Sequence, residues 1–142
     1  MLSPAFSEFF QANILWFGAL FALIAMFIID LKKNAFGGFK KITAAQLPLL
    51  QRNPTVLLDI SAKKDFDTGH IADSINITAN SFSTENKLFK ASTSDNVVVV
   101  DQGGFTVGPV AKKLRASGYE NVFVLEGGIA NWRKENFPLT TK

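Results

Sequence analysis

From Ile14 to Ile29 the chain reads ILWFGALFALIAMFII, sixteen residues without a polar side chain. As a helix this run is about 24 Å long at 1.5 Å per residue. Extended back to Phe9 and forward to Leu31, with Gln11, Asn13 and Asp30 as its polar interruptions, it reaches roughly 34 Å, enough for a hydrocarbon core of about 30 Å. A buried core helix is the alternative. This one is apolar on every face, and a remainder of about 100 residues would struggle to surround it. Residues 14–31 are therefore read as a single-pass transmembrane helix, with membrane lipid as its partner.

Residues 1–13 contain no Lys or Arg, and the run exits into Asp30-Leu31-Lys32-Lys33. It lacks the basic start and small-residue cleavage site of a removable signal peptide. Lys32, Lys33, Lys40 and Lys41 all follow the span, so the positive-inside rule puts residues 1–13 outside as a short extracytoplasmic N-terminus and the rest in the cytoplasm, at the plasma (inner) membrane. Residues 32–41 read as a basic juxtamembrane linker in which Gly37-Gly38 breaks the helix, its lysines attracting anionic lipid at about 1 kcal/mol each. Gly18, Ala22 and Ala25 make a stripe of small residues, ordinary in a membrane helix.

The 142 residues hold 15 Lys plus Arg, 12 Asp plus Glu, one His and no Cys. Without a thiol there is no disulfide, thiolate metal site, iron-sulfur cluster or enzyme-bound persulfide. Nucleic acid is discounted as a partner, because the basic residues are scattered among acids with no aromatic-basic motif.

Beyond the linker, helical and extended signals alternate, which reads as α/β. Thr43-Ala44-Ala45-Gln46 matches a capping box opening a helix over 44–51. The runs VLLDI (56–60) and VVVV (97–100) are short, apolar and branched, as expected of parallel strands covered on both faces. A helix over 108–117 puts Val110, Ala111 and Leu114 on one face, Gly118 ends it, and VFVL (122–125) is a further strand. Gly127-Gly128 turns into a last short helix carrying Trp132. Residues 80–95 are mostly polar and carry no clear signal.

Five segments stand in order: ITAAQL (42–47), VLLDI, DFDTGHIADSINI (65–77), VVVV with its following loop, and GYENVFVLEGGIANW (118–132) with FPL after it. Together they resemble the landmarks of the rhodanese (sulfurtransferase) homology domain over residues 42–139. With its N-terminal span the chain further resembles the small membrane-anchored rhodanese-like proteins of Gram-negative bacteria. The resemblance implies a parallel sheet of about five strands flanked by helices, with a reactive loop at the carboxyl end of the VVVV strand, where open α/β sheets place ligands.

In the enzymes of that family the loop opens with a cysteine, curls its backbone N–H groups into an anion cradle and carries an arginine. Here it reads Asp101-Gln102-Gly103-Gly104-Phe105-Thr106-Val107. By this resemblance Asp101 takes the cysteine position, Thr106 stands where the arginine is usual, and Ser61 stands where an Asp-x-Arg is common. Sulfur transfer needs a low-pKa thiolate that holds sulfane sulfur as a persulfide, which a carboxylate cannot do. If the cradle persists, Asp101 fills it as an internal anion. No catalytic residue is then expected, and no cofactor. Asp101 as a nucleophile would want a second carboxylate, a metal or a phosphate-holding lysine, and the loop offers none. Gly103 to Gly108 also lacks the Gly-Lys-Ser/Thr of a phosphate loop.

His70 with Asp65, Asp67 and Asp73 is read as a structural turn with solvated acids, not as a metal site. Asp59 is read as structural and Trp132 as a core anchor. Phe105 and Val107 are the apolar residues expected to be exposed at the loop, which suits a protein surface better than a small anion. The expectation is a non-catalytic, membrane-anchored module that binds another protein. The alternatives are an accessory to sulfur trafficking that binds a persulfide-carrying partner, or an enzyme using Asp101.

Overall fold

Four consecutive valines, Val97 to Val100, are each no more than 1% exposed. Such burial needs a strand covered on both faces, and the valines occupy the central strand of the sheet. The computed structural model describes residues 3–141, with the backbone alone for residues 32–37. The chain divides into two units, residues 1–36 and 37–142.

The second unit is built on strands β1 (Phe39–Ile42), β2 (Thr55–Asp59), β3 (Ile75–Asn76), β4 (Asn96–Val100) and β5 (Asn121–Leu125). Their spatial order is β1-β5-β4-β2-β3, and every pair is parallel. Parallel neighbours need crossovers over the faces. Helices α3 (Leu47–Leu50), α4 (Lys63–Thr68) and α5 (Val107–Ala116) lie on these connections and α6 (Gly128–Lys134) follows β5, with the numbering α1 and α2 kept for the first unit. The architecture is the expected α/β one.

Alternation along β4 distributes its valines between two cores. Val97 and Val99 meet Val107, Val110, Ala111 and Leu114 of α5. Val98 and Val100 meet Leu47, Ile129 and Trp132 on the other face. Each fully buried valine is worth about 1.5–3 kcal/mol relative to exposure. The polar segment 80–95 is pinned by two aromatic residues its composition hides: Phe82 and Phe89 are buried in an edge-to-face pair at 5.4 Å.

Two segments differ in kind from expectation. The predicted helix over 44–51 is a 3-10 turn, Ala44–Gln46, followed by the short α3. The capping box forms, with the Thr43 N–H donating to Gln46 Oε1 at 2.9 Å. Pro48, however, has no N–H to donate back to the Ala44 carbonyl, and Leu47 takes that carbonyl instead. Residues 39–41, read as the end of a linker, belong to the sheet: Phe39 pairs with Val122 and Ile42 with Leu125. Lys40 and Lys41 are the exposed residues of an edge strand, where lysine also discourages edge-to-edge pairing.

The first unit holds α1 (Pro4–Ala12) and α2, which runs from Ile14 to Gly37. Ile14–Leu31 is long and apolar enough to cross a membrane, and none of it is buried. Asn13 interrupts the helix, so the apolar run does not extend unbroken to Phe9 as the sequence suggests. The side chains of Lys32 and Lys33, expected to meet lipid, lie outside the described residues.

Candidate functional site

The carboxyl ends of β2 and β4 lie side by side, Asp59 in register with Val100, and the loop 101–106 leaves the sheet there. Asp101 is 5% exposed. Its Oδ1 accepts the Gly104 N–H. Its Oδ2 accepts the Thr106 N–H at 2.8 Å and the Thr106 hydroxyl at 2.6 Å. The loop therefore curls around its own first side chain, and the carboxylate consumes the donors that such a loop would offer an anion. Thr106, which the resemblance sets at an arginine position, adds a donor to the cradle and no charge.

The loop is braced from behind by α6. The carbonyls of Asp101 and Gln102 accept the Ile129 and Ala130 N–H groups, both at 2.9 Å, so the loop caps the first turn of that helix. This approach is possible because residue 128 is glycine. Its φ is +60°, and a Cβ there would collide with the Asp101 carbonyl. Gly104, at φ +81°, likewise packs against the Gly127 backbone. In sequence, Gly127-Gly128 marks only a turn into a helix. The adjacent glycine pair was the signal for a close backbone contact.

Gln102 Nε2 donates to Ser61 Oγ at 3.0 Å, tying the loop to the end of β2. Ser61 N–H donates to Asp59 Oδ1 at 2.9 Å. Asp59 is 1% exposed, and its Oδ2 has no hydrogen-bond partner among the described residues. Burial pushes the Asp59 carboxyl up from its ordinary value of 3.8, against the hydrogen bonding from Ser61. Asn76 Nδ2 donates to the Asp59 and Ser61 carbonyls and fixes this corner.

In front of the loop is a depression of about 580 Å³, lined by Ser61, Thr78, Asn80, Asp101, Gln102 and Phe105 among others. Among the described residues, no lysine or arginine lines it. Phe105 is 92% exposed. Val107, expected to be exposed beside it, is instead buried. It is the first residue of α5 and shares the inward face with Val110, Ala111 and Leu114. Gln102, Gly103 and Gly104 are half-buried and Thr106 is exposed, so of the seven loop residues only Phe105 offers a large apolar surface.

The remaining candidates have structural places. His70 Nδ1 lies 2.8 Å from the Phe66 carbonyl, its ring stacks on Phe66 at 3.8 Å, and its backbone bridges Thr140. Asp67 pairs with Lys63, and Asp73 sits in a turn at φ +63°. Among the described residues no group of three or more His, Cys, Asp or Glu is gathered to hold a metal. Trp132 is buried, donates Nε1–H to the Pro138 carbonyl at 2.9 Å and packs on Phe137.

Comparison with known proteins agrees with the fold. A family model for the rhodanese-like domain matches residues 43–135. The YibN protein of Escherichia coli (strain K12) is 32% identical over 123 residues, covering 85% of this chain and 86% of its own. The thiosulfate sulfurtransferase GlpE of Pseudomonas savastanoi pv. phaseolicola is 30% identical over 95 residues, covering 67% of this chain and 88% of its own. Among solved structures, a rhodanese-related protein from Thermoplasma volcanium shares the fold, with a TM-score of 0.60 at 24% identity over 73% of this chain and all of that one. The chain belongs to the rhodanese-like domain family.

Proposed function

We propose that this protein is a membrane-anchored rhodanese-homology module without sulfurtransferase activity, and that it binds another protein at the cytoplasmic membrane face. One observation carries the reading: the Asp101 carboxylate occupies the donor cradle of the loop, accepting Gly104 N–H, Thr106 N–H and the Thr106 hydroxyl. An arriving anion meets a filled and negatively charged cradle. The chain has no cysteine to form a persulfide, and among the described residues no basic side chain lines the depression beside Asp101. The loop instead presents Phe105, an apolar side chain suited to a protein surface.

The test is twofold. The full chain in detergent, given thiosulfate and cyanide, is expected to produce no thiocyanate above a protein-free blank, and turnover would overturn the reading. A photo-reactive residue at position 105, activated in intact membranes, is expected to capture a protein, and capture of lipid alone would remove the interaction role.

The similarity to GlpE, a thiosulfate sulfurtransferase, favours a second reading in which the module serves sulfur trafficking by binding a partner that carries the persulfide. A captured partner with a persulfidated cysteine would select it. An enzyme using Asp101 would instead require a turnover that Asp101→Asn abolishes while the fold survives.

A further inference from the structure

The break at Asn13 separates two helices of different character. Helix α1 reads PAFSEFFQA. Phe6, Phe9 and Phe10 fall at i, i+3 and i+4 on one face, and Ser7, Glu8 and Gln11 fall on the opposite one. The three phenylalanines are 49%, 59% and 43% exposed. Phe10 stacks on Phe17 of α2 at 4.9 Å, and Phe9 meets the same ring edge-on at 6.2 Å. The apolar face of α1 thus runs on into an apolar groove of α2 lined by Phe10, Ile14, Phe17, Gly18, Phe21 and Ile24.

Length and composition decide what covers that face. The 18 residues Ile14–Leu31 extend about 27 Å as a helix, which already approaches a hydrocarbon core of about 30 Å. Trp16, 78% exposed, stands two residues inside the span, where an indole favours the headgroup level. Glu8 and the polar face around it have no place in hydrocarbon. Residues 4–12 carry no Lys or Arg, so their attraction to a bilayer is apolar, not a basic-patch effect. We propose that α1 is an interfacial helix lying against the leaflet at the N-terminal end of α2, with Phe6, Phe9 and Phe10 seated among the acyl chains and Ser7, Glu8 and Gln11 in water. The inference rests on α2 spanning the bilayer.

The cysteine-free chain permits a direct test. Single nitroxide labels are placed through Phe6→Cys, Glu8→Cys, Phe9→Cys, Gln11→Cys and Ile24→Cys in the full chain, reconstituted in phosphatidylcholine vesicles. Collisions with oxygen and with a water-soluble nickel chelate are compared. Positions 6 and 9 are expected to favour oxygen several-fold more than positions 8 and 11, at a shallower depth than position 24. Equal aqueous exposure at 6, 8, 9 and 11 with position 24 deep would overturn the interfacial helix alone, as would a depth at 6 and 9 matching position 24. Spin-spin broadening at 6 and 9 would mean that a second copy covers the face, and would also overturn it. An aqueous position 24 would overturn the span itself.

Discussion

Asp101 and Thr106 close the site loop on itself: one carboxylate oxygen of Asp101 receives both the backbone N–H of Thr106, at 2.8 Å, and its hydroxyl, at 2.6 Å. A loop that needs an outside anion to satisfy its donors is thereby made self-sufficient.

Removing that acceptor should destabilise the protein. Asp101→Ala leaves the Gly104 and Thr106 N–H groups without their partner, a loss of about 1–3 kcal/mol. Asp101→Asn keeps one acceptor oxygen and should lose less. Urea unfolding of the detergent-solubilised chain, followed by Trp132 fluorescence in a Trp16→Phe background, gives the order: wild type, Asn, Ala.

Asp59 sets a pH dependence of definite sign. Its folded carboxyl is raised above the ordinary 3.8 by burial, so folding favours the protonated acid. The stability this contributes is fully present below 3.8 and is lost as pH rises through the folded value. Asp59→Asn keeps the shape and cannot ionise. The stability of wild type relative to this variant should therefore decline from acid toward neutral pH, as read from unfolding midpoints across that range.

Gly128→Ala should injure the site without touching any side chain in it. The residue sits at φ +60°, and its new Cβ would strike the Asp101 carbonyl, displacing the loop from the Ile129 and Ala130 N–H groups. A destabilisation of about 1–3 kcal/mol is expected. Amide exchange should show Ile129 and Ala130 exchanging faster than in wild type.

Phe105→Ala should do the reverse. A side chain 92% exposed contributes little to folding, so unfolding should change by less than about 0.5 kcal/mol. Association with the captured partner, measured by co-purification from membranes, should fall by at least tenfold.

What could be read from the chain depended on how consistently each segment's pattern matched its place. Val97 to Val100 announced a central strand because four branched apolar residues in a row fit little else. β1 stayed hidden because an edge strand exposes its middle, and Lys40-Lys41 look like a linker. β3 has two residues, Ile75 and Asn76, too few for any period. The cradle around Asp101 was legible through the family resemblance, which fixed where the loop begins. The family resemblance assigns Val107 to the loop, yet 107, 110, 111 and 114 have helical spacing and the helix starts at 107. The brace from α6 joins residues 101–102 to 128–130, and no local pattern carries a contact of that range.

The pairing of β1 with β5 bears on how the protein is made. During synthesis Phe39 emerges from the ribosome directly behind the apolar helix, yet its partner Val122 emerges only after β2, β3 and β4. The first strand therefore waits, unzipped, until β5 has been made. A nascent chain arrested before Asn121 would hold four strands with no neighbour for β1, which makes the synthesis of β5 the moment at which the sheet can be completed.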